Sequence, residues 1–298
     1  MYNTPQFTLR GKPVDALPAC PGIYRFIDKQ ERVLYIGKSV NLRNRVRTHL
    51  SNVKSSSRHR RMVNDSERVD VRPTAGEVGA LLLENAAIKT QMPVFNRRQR
   101  SLRRMWSFTL NTTKRGFCVP RLQSFAMDQP EILATYGAYS NQSRARKTLE
   151  SIARQEGLCP LILEIESGPG PCFQRQIGRC EGACVGNESP ESHNARLHAA
   201  IDTNRLSAWP ITGPVLMCEV GANPDIQPAE EWHLLHNWAY LGTFGSLKAA
   251  QRGNAESAFM FDRDTYHILR RTLRQHKLPL LCAQSLEPIT WPLQTTRP

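Results

Sequence analysis

The stretch VLYIGKSVNLRNRVRTHL, Val33 to Leu50, begins as a strand and ends as a helix. Val33–Ile36 is a short apolar, β-prone run. Gly37 breaks it, and Asn41 then stands as an N-cap before Leu42, Val46 and Leu50, which are spaced as one helical stripe. Arg45 and His49 are four apart and share a face beside that stripe. The stretch contains no acidic residue. Upstream, ACPGIYRFID (19–28) carries a Pro-Gly turn and a second β-prone run, and the polar DKQE between the two runs predicts an antiparallel hairpin. That hairpin sets Tyr24 and Tyr35 on neighbouring strands.

Downstream, SNVKSSSRHRR (51–61) reads as a polar, basic connector, and RVDVRPT (68–74) as a third strand. AGEVGALLLENAAIKTQMP (75–93) predicts a strong helix with Val78, Leu81, Leu82, Asn85 and Ile88 turned inward. Strand, strand, helix, strand, helix is the order of a small α+β domain over 17–98, a three-stranded antiparallel sheet flanked by helices. A basic arm and a short strand/helix linker region follow over 99–158, with strands near WSFTL and FCVPRL and a helix over 141–156. A Cys-rich segment occupies 159–206 and ends in a helix over 190–206. The remainder, 207–298, including EWHLLHNWAYLGTFGSLKAAQR, is read as helical, so the expected C-terminal region is mainly helical.

The net charge of +14 is unevenly placed. Residues 1–115 hold 23 lysines and arginines against 8 acidic residues, and residues 116–298 hold 17 against 18. Such an asymmetry favours a polyanion-binding domain joined to a neutral one. No apolar run reaches the roughly 18 residues of a membrane span, and the opening has no apolar core of a secretory signal. The expectation is a cytoplasmic protein with no membrane contact.

Glu84 sits inside the apolar ALLLENAAIK, where a carboxylate is costly unless it is paired or bound to a cation. Tyr24, Tyr35, Lys38, Arg45 and Asn96 belong to the same small basic domain. Phosphodiester cleavage needs a cation or positive side chains on the phosphoryl oxygens, a base for the attacking water and support for the leaving oxygen. One carboxylate can anchor a single Mg²⁺ if water and phosphate complete its shell. Lysine and arginine would hold phosphate oxygens, and their charge is expected to lower a nearby phenol's pKa.

PGIY (21–24), LYIGKSVNLRNRV (34–46) and GALLLENAAIKTQMPVFN (79–96) together resemble the GIY-YIG nucleases, and CFQRQIGRCEGACVG (172–186) extends the resemblance to UvrC-type repair nucleases. HLLHNWAYLGTFGSL and FDRDTYHIL resemble the short UvrC homologues of the Cho type, so the similarity covers nearly the whole chain. The resemblance implies a GIY-YIG domain in the N-terminal third. It further implies an endonuclease that incises the damaged strand 3′ of a lesion during nucleotide excision repair, on double-stranded DNA loaded with UvrB by UvrA, within the SOS response. By resemblance, Glu84 binds Mg²⁺ (or Mn²⁺), Tyr35 or Tyr24 activates the water, Lys38 and Arg45 hold phosphate, and Asn96 supports the site by hydrogen bonding. His49 stands where UvrC proteins usually have tyrosine; it is read as a phosphate contact or proton partner, or as a helix-surface histidine.

Cys159, Cys172, Cys180 and Cys184 are spaced C-x12-C-x7-C-x3-C. A [4Fe–4S] cluster, zinc and plain buried thiols all remain open, and the resemblance favours the cluster. Trp209, Trp232, Trp238 and Tyr240 are read as core, and the arm Arg97–Arg104 as a DNA contact. The competing functions are a restriction or homing enzyme on the same catalytic domain and a non-catalytic damage-binding protein.

Overall fold

The computed structural model describes residues 6–8, 14–51, 56–96, 104–253, 261–275 and 277–291. The chain divides into two compact units, one of residues 1–101, 209–258 and 262–298, the other of residues 102–208 and 259–261. Among the described residues no helix is long and apolar enough to cross a membrane.

The first unit opens with a four-stranded antiparallel sheet. Its strands are β1 (Gln6–Thr8), β2 (Gly22–Ile27), β3 (Val33–Ser39) and β4 (Arg68–Pro73), in the order β1-β4-β2-β3. The expected three strands are its body, and the three-residue β1 adds an edge. Alternation along the strands divides the side chains between two layers. Tyr24, Phe26, Val69 and Val71 pack under α1 (Leu42–Ser51) with Leu42 and Val46, whereas Ile23 and Ile36 meet Ile88 of α3 (Glu77–Gln91) on the other face. Asn41 caps α1 as predicted, its Oδ1 accepting from Asn44 N at 3.0 Å. The basic connector is a helix from Ser57 onward, α2 (Ser57–Asp65), capped by Ser56 and anchored by the buried Met62. One inward methionine is too little periodicity to reveal a helix in advance. The segment after α3 covers the open edge of β3, where Phe95 N donates to Leu34 O at 2.9 Å.

The second unit is built on β5 (Arg104–Thr112), β6 (Cys118–Ala126) and β7 (Tyr136–Tyr139), in the order β6-β5-β7. Helices α4 (Gln142–Gln155) and α6 (Pro190–Asp202) supply Leu149, Leu197 and Ile201 to its core. Between them runs the cysteine segment, with the single turn α5 (Phe173–Gln176). Of the basic arm, residues 97–103 lie outside the described residues.

The C-terminal part returns to the first unit and corrects the expectation of a mainly helical region. β8 (Val215–Val220), β9 (Glu230–His236), β10 (Ala239–Phe244) and β11 (Leu280–Cys282) form a second antiparallel sheet, ordered β10-β9-β8-β11. The short α7 (Leu247–Gln251) and α8 (Arg263–Arg274) accompany it. WHLL is buried on both faces of β9, so it shows no alternation and cannot be told from a helix by period. The deciding signal is the turn: Asn237 and Trp238 both have positive φ, 49° and 62°, the geometry of a two-residue hairpin. Trp209, Trp238 and Trp291 stack edge to face with ring centroids 5.2–5.7 Å apart; Trp232, Trp238 and Trp291 are buried in the core and Trp209 is half-buried.

Candidate active site

The β2–β3 register places Tyr24 opposite Gly37 and Phe26 opposite Tyr35. The two tyrosine rings lie 6.1 Å apart, on the face covered by α1. Gly37 is required there: a Cβ at that position would stand 2.2 Å from the Tyr24 hydroxyl. From α1, His49 Nε2 meets that hydroxyl at 2.8 Å and Arg45 Nε donates to it at 3.3 Å.

His49 is therefore no surface residue. It is buried, its ring stacks on His59 of α2 at 5.1 Å, and His59 Nε2 bonds the His49 carbonyl at 2.9 Å. Burial pushes its pKa down to about 4, with the charges of Arg45 and His59 adding to the effect. The imidazole is thus neutral near pH 7. The Tyr24 hydroxyl thus has polar partners on two sides, the Arg45 guanidinium and the His49 ring. His49 Nδ1 is buried without a hydrogen-bond partner among the described residues.

Glu84 projects from α3, on the opposite face of the sheet, and is held at the β3 edge. Its Oε1 accepts from Lys38 N at 3.0 Å, and Oε2 makes no hydrogen bond among the described residues. Burial raises its pKa, opposed by the Lys38 N–H and by the charges of Lys38 and Arg45. Its own charge reaches Tyr35, whose pKa is raised by burial first and by Glu84 second. Tyr24, with no exposed surface, is pushed up by burial and by Tyr35, against Arg45. Cations therefore do not bring the phenols down as expected; in the chain alone, desolvation outweighs them.

Lys38 and Asn96 stand differently from the other residues. Lys38 Nζ bonds Glu77 Oε1 at 2.6 Å in an exposed pair. Such a pair is worth under about 1 kcal/mol, so the ammonium can exchange partners at little cost. Asn96 braces the edge strand: its Oδ1 accepts from Ile36 N at 2.9 Å and its Nδ2 donates to Ile36 O at 2.8 Å. A single carboxylate with one uncommitted oxygen, beside a partly exposed phenol, fits a small, largely hydrated divalent cation.

The four cysteines form a separate cluster in the second unit. Cys159, Cys172 and Cys184 have sulphurs within 4.8 Å of one another, with Cys159 and Cys172 at 3.9 Å. Cys180 belongs to the same buried patch, with Phe117 and Ala183. Arg175 N and Gly182 N donate to the sulphurs of Cys172 and Cys180 at 3.3 and 3.4 Å. Sulphurs so gathered, and met by backbone N–H groups, suit a thiolate-bound metal.

The His49 environment yields an acid-stability prediction. A histidine held at about 4 when folded and about 6.5 when unfolded stabilises the fold fully above pH 6.5. That contribution is lost as the pH falls from 6.5 to 4, up to about 3 kcal/mol in all. Urea unfolding at pH 7 and pH 5 is expected to show a smaller drop for His49→Gln than for the parent chain. Equal drops would place the histidine in water.

The UvrC-like GIY-YIG domain family matches residues 20–97, the UvrC/Cho excinuclease middle domain family residues 107–203, and the Excinuclease Cho C-terminal domain family residues 214–287. The chain is 36% identical over 260 residues to excinuclease Cho of Escherichia coli K12, covering 86% of this chain and 83% of that protein. It is 34% identical over 276 residues to Cho of Salmonella typhi, covering 90% and 89%. With UvrABC system protein C of Salinibacter ruber it shares 34% over 181 residues, 59% of this chain and 28% of that one. A crystal structure of the N-terminal endonuclease domain of Thermotoga maritima UvrC, bound to magnesium, is 29% identical over 28% of this chain and 90% of its own, with a TM-score of 0.26. Similar along its N-terminal, middle and C-terminal parts, the chain belongs to the excinuclease Cho family of UvrC-like GIY-YIG endonucleases.

Proposed function

We propose that the protein nicks the damaged strand on the 3′ side of a lesion, in DNA that UvrA has loaded with UvrB, by one-metal phosphodiester hydrolysis. The observation that carries this reading is the convergence at one sheet edge of the Glu84 carboxylate with the Tyr35–Tyr24–His49 group. Mg²⁺ held by Glu84 would supply charge for the phosphoryl oxygens and the leaving group. Tyr35, the partly exposed phenol, contacts the attacking water, because the enclosed Tyr24 has no surface to offer one. Glu84's charge is one cause that keeps the proton on Tyr35, and this cause weakens once the carboxylate shares its charge with a cation. Tyr24, hydrogen-bonded to the neutral His49, packs behind Tyr35 and fixes its ring. Arg45 and a released Lys38 hold phosphate oxygens, while Asn96 keeps β3 in place. The excess positive charge of the first 115 residues supports a DNA substrate.

The test is a nicking assay on a duplex carrying one lesion, with UvrA, UvrB and Mg²⁺. A single cut on the damaged strand, 3′ of the lesion and dependent on UvrB, is expected. Equal cutting of undamaged DNA without UvrB would favour a restriction-type enzyme.

For the cysteines, the sulphurs of Cys159, Cys172 and Cys184 lie within 4.8 Å of one another, and Cys180 belongs to the same buried patch. These four thiols are the proposed ligands of a [4Fe–4S] cluster, with zinc as the alternative. Metal analysis of anaerobically purified protein is expected to find iron and acid-labile sulphide. Cys159→Ser should lose the bound metal and destabilise the second unit. Zinc without iron would assign a zinc site instead.

A further inference from the structure

α3, the helix that carries Glu84, lacks a side-chain cap of its own. Its N-cap is Gly76, and no side-chain oxygen from that position meets the first-turn N–H groups. The cap comes from 140 residues along the chain. Glu219 of β8 accepts from Val78 N through Oε1 at 2.9 Å and from Gly79 N through Oε2 at 2.7 Å. Glu231 of β9 accepts from Ala75 N at 3.0 Å, and Gln227 Nε2 donates to Ala75 O at 2.8 Å. His233, fully buried, faces the Glu219 carboxylate at 3.4 Å and Thr243 at 2.8 Å. Two buried carboxylates are costly in a protein interior, and here both are spent on the N–H-rich, positive end of one helix.

The glycines of AGEVG follow from this cap. A Cβ at Gly76 would stand 2.2 Å from Glu219 Oε1, and one at Gly79 would stand 2.9 Å from the His233 ring. A side chain at either position would keep the carboxylate off the helix. The other side of Glu84 is held as well. Asn85, its neighbour, donates from Nδ2 to Asp262 Oδ2 at 2.5 Å and to Thr265 Oγ1 at 2.8 Å, and Lys89 pairs with the same Asp262, the N-cap of α8.

We infer that the C-terminal domain completes the nuclease by fixing the helix that presents Glu84, with Glu219 as the positioning residue. The inference rests on the reading of Glu84 as the metal ligand. Glu219 touches neither substrate nor metal; it acts through the first turn of α3. Losing it frays that turn and loosens the carboxylate against Lys38 N.

The test uses the full chain in four variants, Glu219→Ala, Glu219→Gln, Gly76→Ser and the double variant Gly76→Ser/Glu219→Ala, with Mn²⁺ binding read by electron paramagnetic resonance. Hydrogen exchange is followed in residues 76–84 and in the sheet, 22–39. Glu219→Ala is expected to weaken Mn²⁺ binding about ten-fold and to speed exchange in residues 76–84 while the sheet stays protected. Gly76→Ser alone should also weaken binding, because its Cβ meets Glu219. In the double variant serine becomes the helix's own cap, and binding should return to within about two-fold of the parent. Parental binding by Glu219→Ala, or a double variant no better than Glu219→Ala, would overturn the inference. So would Glu219→Gln losing sheet and helix protection together, since the carboxylate would then hold the whole fold. Glu84→Gln separates the two levels: if it binds Mn²⁺ normally, the reading of Glu84 fails, whatever the Glu219 variants do.

Discussion

Glu84→Gln is expected to lower nicking of UvrB-loaded damaged DNA by about a thousand-fold while leaving DNA retention intact. The substitution keeps the shape and the bond to Lys38 N–H, since an amide oxygen accepts as a carboxylate does. What it removes is the charge that would hold the divalent cation. DNA retention draws on the basic surface of residues 1–115, which the substitution does not touch. The stability of the metal-free protein should move the other way. Burial raises Glu84's pKa above its ordinary value, so at pH 7 the ionised form costs the fold free energy that a neutral amide does not. Thermal unfolding in the presence of a chelator should therefore occur at a higher temperature in the variant. An inactive variant with a lower unfolding temperature would mean that the carboxylate is a structural ion-pair member.

Gly37→Ala carries the second large effect. The added methyl would sit 2.2 Å from the Tyr24 hydroxyl and 2.4 Å from its Cζ. Tyr24 cannot turn away, because the ring has no exposed surface and is packed against Phe26, Tyr35 and His49. Overpacking of this kind costs about 1–3 kcal/mol. Relief requires the hydroxyl to leave His49 and Arg45, which loosens the packed group behind Tyr35. The expected outcome is a lower urea midpoint with an unchanged slope, and nicking reduced about a hundred-fold. A variant of normal stability and activity would place the Tyr24 hydroxyl elsewhere.

Much of the N-terminal domain was legible because its signals are local. Asn41 before an apolar stripe, a polar turn between two β-prone runs, and ALLLENAAIK each carry their structure within a few residues. The family was legible for another reason: the motifs GIY, YIG and the helix glutamate mark it, and the candidate site residues were chosen through them. What escaped depends on partners distant in sequence. His49 left two readings open, a site residue or a surface histidine on α1, and the choice needed Tyr24 of β2 brought against it. β9 hides because both of its faces are covered, and only the left-handed pair Asn237–Trp238 betrays the hairpin. The glycines at 76 and 79 look like weaknesses in a helix until Glu219 and His233 occupy the space a Cβ would fill. A glycine at the N-cap and another in the first turn of an otherwise strong helix were the visible trace of that contact.

The central claim is that Glu84 anchors one divalent cation beside Tyr35 at the β3 edge. Anomalous diffraction from crystals soaked in Mn²⁺ tests it most directly. The account predicts a single peak against the Glu84 carboxylate, on the side facing the Tyr35 hydroxyl, and no peak there in Glu84→Gln. A Mn²⁺ peak bound elsewhere in the domain, with Glu84 bare, would contradict it.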